Sequence, residues 1–176
     1  MMMKMLEAGG LPILSDNLRQ ADADNPEGYY ELERVKKLSE GDTGWLGEAM
    51  GHAVKVISTL LKYLPREYTY KVILLRRDMA EILVSQQKML SRRDDSGGTI
   101  HDSSIAEIFE NHLAQVQAWM EAQPNISVLE LDYSHLVQAP EPDLRQVCEF
   151  LDRALDVEKM ANVVNPDLYR NRMSET

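Results

Sequence analysis

Arg77 stands at the end of an apolar run, Tyr70-Lys71-Val72-Ile73-Leu74-Leu75, and directly before a segment with helical spacing, Asp78-Met79-Ala80-Glu81-Ile82-Leu83-Val84-Ser85-Gln86. A short, nearly continuous apolar run reads as a strand covered on both faces. Ligands of open α/β sheets bind at the carboxyl ends of strands, so Arg77 sits where an anion is expected. Ser85 lies about 10 Å along the following helix from Asp78, at ~1.5 Å per residue. A guanidinium fork from Arg77 and a hydroxyl from Ser85 suit a phosphate held between strand end and helix. In the competing reading, Arg76 and Arg77 only pair with carboxylates, and spacing alone leaves both open.

The remaining reactive side chains form no pattern of their own. His52, His101, His112 and His135 have no metal-ligand spacing with one another or with Cys148, so no metal is expected. The single cysteine excludes an internal disulfide and fits a reducing compartment. The methionines at 1, 2, 3, 5, 79 and 89 read as core filler. Arg92 and Arg93 beside Asp94 and Asp95 read as a solvated helix end, and Arg170 and Arg172 as exposed terminal residues. Aromatic and basic residues do not interleave as nucleic-acid surfaces require.

The elements that must position these residues alternate. Strands are expected at 53–58, 70–75 and 126–131, the last after the turn signal Pro124-Asn125. Helices are expected over 1–8 before Gly9-Gly10, over 29–39, from Asp78 to Leu90, from Ser103 or Ser104 to Ala122, and over 143–152. The long helix carries Ile105, Ile108, Phe109, Leu113, Val116, Trp119 and Met120 toward its buried side. Trp45-Leu46 is expected to anchor a glycine-broken turn in the core. Such alternation predicts an α/β fold with a parallel sheet, in one domain spanning 1–176. A net charge of -10 argues against a general polyanion binder while leaving room for one local anion pocket. No apolar run approaches a membrane span, and the N-terminal residues lack a signal-peptide core, so a cytoplasmic protein is expected.

The segment from Arg77 to Ser85 resembles the 3′-phosphate-binding segment of sulfotransferases that use 3′-phosphoadenosine 5′-phosphosulfate. Leu131-Asp132-Tyr133-Ser134-His135-Leu136, then Pro140, Leu144 and Cys148-Glu149-Phe150-Leu151, resembles that family's strand, Tyr-x-x-Leu and following helix. Asp24-Asn25-Pro26-Glu27-Gly28-Tyr29-Tyr30-Glu31 and Asn165-Pro166-Asp167-Leu168-Tyr169-Arg170-Asn171-Arg172 resemble motifs of a bacterial branch. The resemblance implies a three-layer α/β/α sandwich of P-loop type, with the nucleotide as co-substrate, no metal, and a small molecule or carbohydrate as acceptor. It also implies cofactor-binding roles for Arg77 and Ser85.

Two departures accompany it. Met1 to Ala8 resembles the helix that follows the family's phosphosulfate loop, Gly-x-Pro-Arg-Ser-Gly-Thr-Ser, while the loop and its strand have no counterpart here. The expectation is an N-terminally truncated domain that binds nucleotide without turnover. The well-studied members also place a histidine after the strand matching 53–58, where Ser58 falls here, and serine unassisted is a poor base. Lys55, His52, Asp22, Asp24 and Glu31 are the nearby alternatives, and the catalytic residue stays unassigned. A non-enzymatic nucleotide- or protein-binding member of the fold and a small-molecule P-loop kinase are the rival functions. The kinase would need a Mg²⁺ carboxylate near where Arg77 stands.

Overall fold

Seven residues from Tyr70 and seven from Ile126 have the β-branched and leucine content that suits a strand covered by helices. In the computed structural model they form β1 (Tyr70–Arg76) and β2 (Ile126–Asp132), paired in parallel with Val72 opposite Val128 and Arg76 opposite Asp132. The structure describes residues 1–16, 18–19, 21–22, 25, 28–79, 81–82 and 102–165, with side chains from 106 in the last stretch. Asn125 pins the start of the pair: its carbonyl accepts from Tyr70 N at 2.8 Å, and its side-chain amide donates to Tyr68 O at 2.8 Å.

The helices pack around this pair. α1 (Met2–Ala8) buries Met2, Met5 and Leu6, and α2 (Glu33–Lys36) runs into a 3₁₀ turn over Lys37–Glu40. A second 3₁₀ helix covers Ser58–Tyr63, and α3 (Asp102–Glu121) precedes β2. α4 (Tyr133–Gln138), α5 (Pro140–Leu151) and α6 (Val157–Ala161) follow it. Asp132 and Asp156 cap α4 and α6 by accepting from His135 N and Lys159 N, each at 3.0 Å.

Two apolar clusters hold the molecule together. One joins Met2, Met5 and Leu6 of α1 to Leu131, Leu136, Leu144, Val147 and Met160. The other gathers Val35, Leu38, Trp45, Leu46 and Leu60, with the Trp45 indole donating to Asp42 O at 3.0 Å. The N-terminal methionines Met2 and Met5 and the Trp45-Leu46 anchor are therefore core, as their types suggest.

Three expectations need correction. The strand expected over 53–58 is extended only to 57. There Ala53 makes a single parallel bridge to Ile13, and Ser58 begins the 3₁₀ helix. The helix expected over 29–39 starts at Glu33. Gly28 and Tyr30 are left-handed (φ 82° and 51°), and the cap comes from distant Asp16, whose carboxylate accepts from Glu33 N at 2.6 Å. On α3, Ile108 is 66% exposed rather than buried; the inward stripe runs Phe109, His112, Leu113, Val116 and Met120. Among the described residues the parallel sheet has two strands, and no helix is long and apolar enough to cross a membrane.

Candidate functional site

β1 ends at Arg76 and delivers Arg77 to the carboxyl edge of the sheet, beside Tyr133 at the start of α4. The Arg77 guanidinium lies 5.0 Å from the Tyr133 ring centroid and donates through Nε to Glu81 at 3.0 Å. Glu81 is almost fully buried, so this pair is shielded from solvent far more than a surface ion pair. Burial raises the Tyr133 phenol above its ordinary value; Arg77 opposes that shift and Glu81 adds to it. Arg76 pairs with Glu130 at 3.2 Å on the exposed side. Both arginines thus have carboxylate partners, as the bland reading expects, but only Arg77 faces a stacked aromatic at the strand's end. Ser85 lies outside the described residues, as do Asp24, Arg92, Arg93, Arg170 and Arg172.

Next to this edge is a cavity of about 810 Å³ between α1, the segment around 45–58 and β1. β1 lines it from Tyr70 to Leu75, two residues short of Arg77. Its walls are apolar, with Met2, Leu6, Val54, Val56, Val72 and Leu74 among them. Lys4, Lys55, Lys71 and Arg153 also line it, and among the described residues no aspartate or glutamate does. In a chain with 29 acidic and 19 basic side chains, an acid-free lining is a local bias toward anions, offset at Lys55 by Glu31 at 3.5 Å.

Ser58 reaches the cavity from the end of the extended segment, and its Oγ lies 2.9 Å from His112 Nε2 on the inward face of α3. The sequence alone gives Ser58 no assisting base and His112 no metal-ligand spacing. The signal that could have found the pair was the position of His112 on the Phe109–Val116–Met120 stripe, where an imidazole must meet a polar partner.

The other candidates for a base are committed elsewhere. Glu31 is ringed by Arg19, Lys55 and Lys36 at 3.1, 3.5 and 3.8 Å. Asp22 accepts from the Tyr29 hydroxyl at 2.7 Å, while Lys55 donates to Tyr29 O at 3.1 Å. His52 is exposed, with Nδ1 against Met50 O at 3.1 Å. Tyr30, in its left-handed conformation, ties the 28–31 loop to α1 through Glu7 at 2.5 Å. A further pair unread from the sequence, His135 Nδ1 on buried Asp143 at 2.8 Å, joins α4 to α5 behind Arg77's edge. Among the described residues, no cluster of three or more histidine, cysteine or carboxylate side chains could hold a metal ion.

The profile of the sulfotransferase family matches residues 17–157. The chain belongs to the sulfotransferase family. An uncharacterized protein of Aquifex aeolicus (strain VF5) is 28% identical over 125 residues, which is 70% of this chain and 16% of that protein. The chain therefore matches only a small part of that relative's length. No solved structure matches significantly. The matched span includes β1, Arg77, Ser58, His112 and β2, while the α1 wall of the cavity precedes it.

Proposed function

We propose that this sulfotransferase-family chain binds 3′-phosphoadenosine 5′-phosphosulfate and takes part in sulfuryl transfer to a hydroxyl or amine of a small molecule or carbohydrate. Arg77 and Ser85 would hold the nucleotide's 3′-phosphate, and the acid-free cavity along β1 would take the acceptor and the anionic end of the donor. The observation that carries this reading is the juxtaposition of that cavity with Arg77, within a chain of this family. Catalysis on such a frame consists of aligning donor and acceptor and neutralising charge on the leaving oxygen. Arg77, oriented by Glu81 and Tyr133, supplies a guanidinium suited to phosphate; Lys4, Lys55, Lys71 and Arg153 supply positive potential where carboxylates would repel. The wider fold implied by this reading is a three-layer α/β/α sandwich around the β1–β2 pair.

Calorimetric titration with adenosine 3′,5′-bisphosphate tests it. A lost charge-assisted contact costs about 1.5–3 kcal/mol, so Arg77→Ala should bind about 10- to 150-fold more weakly. A thermal melt of the same variant separates this loss from unfolding around Glu81. Equal affinity in folded wild type and variant would sink the assignment of Arg77, and no binding by folded wild type would sink the nucleotide reading.

A further inference from the structure

We propose that Ser58 and His112 form the proton-accepting unit of the cavity, with Ser58 touching the acceptor and His112 acting through it. The acceptor then is an alcohol or phenol with an apolar body. This rests on the sulfuryl-transfer reading above for its role, but not for its test.

Of the cavity's hydroxyls whose partners are known, Tyr29 donates to Asp22, Tyr30 to Glu7 and Tyr70 to Pro65 O. Those acceptors are carboxylates or a carbonyl, which are weak bases at neutral pH. Ser58 alone among them is bonded to an imidazole, the side chain best matched to proton transfer near neutrality. The pair is half-buried and joins residues 54 apart, so two separate elements converge to make it. Its position at the end of the 53–57 segment makes Ser58 a lining residue of the cavity, together with Val54, Val56, Leu61 and Leu64.

With His112 protonated on Nδ1, Nε2 accepts from Ser58 Oγ. As the acceptor oxygen forms its bond to sulfur, its proton passes to Ser58 Oγ and the serine proton to His112 Nε2. The sulfur–oxygen bond to the nucleotide phosphate breaks, and its electron pair stays on that phosphate oxygen. Serine ends neutral and histidine ends as imidazolium, so the proton and the electrons are accounted for. The apolar walls select an acceptor whose body is apolar, and the cations are placed for the sulfate ester that results.

The test uses phenylmethanesulfonyl fluoride, a sulfur electrophile that needs no nucleotide. Attack by Ser58 Oγ forms an oxygen–sulfur bond, expels fluoride and gives the serine proton to His112. Mass spectrometry of the full chain should map the label to Ser58. His112→Gln, which can still hydrogen-bond Ser58 but cannot take its proton, should slow labelling by about 100-fold or more. Imidazole in the buffer should restore labelling of His112→Ala but not of Ser58→Ala, which a purely structural role for His112 would not produce. Labelling needs no nucleotide, so it is read independently of bisphosphate affinity in the same wild-type protein, which separates this inference from the nucleotide reading. No label on wild-type Ser58, equal rates in wild type and His112→Gln, or no restoration by imidazole would each overturn it.

Discussion

Alanine at Gly9 tests how tightly α1 is seated against α6, and therefore how firmly one wall of the cavity is held. Gly9 caps α1 with φ -74°, a conformation alanine adopts freely, so backbone strain is not the issue. Space is. A Cβ there would lie 2.6 Å from Met160 Cγ, 2.7 Å from its Sδ and 3.2 Å from Leu155 Cβ. Met160 is wholly buried, which denies its side chain an easy exit, and Asp156 N donates to Gly9 O at 3.1 Å, fixing the approach of the two backbones. Overpacking of this kind costs about 1–3 kcal/mol, and reduced freedom of the unfolded chain returns about 0.4–1. With Met160 boxed in, the upper part of that cost applies, and the net expectation is a loss of about 1–2 kcal/mol, or roughly 2–8 °C in Tm at this chain length. A double-mutant cycle decides the cause. Met160→Ala alone should cost about 2–5 kcal/mol, but Gly9→Ala added to it should cost nothing or gain slightly, a coupling of at least about 1 kcal/mol. Thermal and urea melts of the four proteins measure this. A Gly9→Ala protein as stable as wild type, or the same cost in both backgrounds, would refute the packing argument.

Two pH experiments probe other parts of the frame. Burial, then Glu67, then Tyr68 push the Tyr70 phenol from 10.0 up to about 12, so the neutral form is favoured in the folded state and its contribution is lost as pH rises from about 10 through 12. In an alkaline ultraviolet titration, Tyr70→Phe should remove a late step near 12; an unchanged curve would contradict the half-buried placement at the start of β1. At the acid end, the Ser134 hydroxyl and then His135 N hold the Asp132 carboxyl below its ordinary 3.8. That stabilisation is fully present above about pH 4 and is lost as pH falls through the lowered value. Asp132→Asn keeps a capping oxygen but cannot titrate, so its stability should fall less between about pH 5 and pH 3 than that of wild type. Parallel acid limbs would show that the cap contributes no titrating stability.

What the sequence made legible was local. The runs at 70–75 and 126–131 are apolar on both faces, and each strand begins where expected. The long helix and the Trp45-Leu46 anchor also follow from spacing and side-chain volume. Segment 53–58 has equal β propensity, but strand formation requires a partner backbone, and one bridge to Ile13 is all it makes. The late start of α2 was hidden for a similar reason: its cap, Asp16, lies 17 residues upstream. In the site, Arg77 could be read because strand ends bind ligands by a general rule, whereas the partner that orients it, Glu81, was read only as part of the helix. The Ser58–His112 pair spans 54 residues and has no local signature at all.

Charge distribution is the part that composition most misleads. Beyond a Debye length of about 8–10 Å, salt screens most of the repulsion between a chain at -10 and an anionic nucleotide. Inside that distance the nearest charges decide, and those lining the cavity are cationic. Lys4, Lys55, Lys71 and Arg153 are far apart in sequence, so no basic run marks them; only folding α1, the 45–58 segment and β1 around one space collects them. Apolar walls lower the local dielectric and strengthen the attraction of those cations for a bound anion relative to the exposed carboxylates outside. Net charge therefore excludes indiscriminate polyanion binding while placing no limit on one local anion site. On the proposed reading, the apolar part of the lining would favour an acceptor with an apolar body, because a polar body would lose its water against side chains such as Val54, Val56, Val72 and Leu74 that cannot hydrogen-bond it. On that reading, selectivity for donor charge and for acceptor polarity would follow from a single arrangement of side chains around β1.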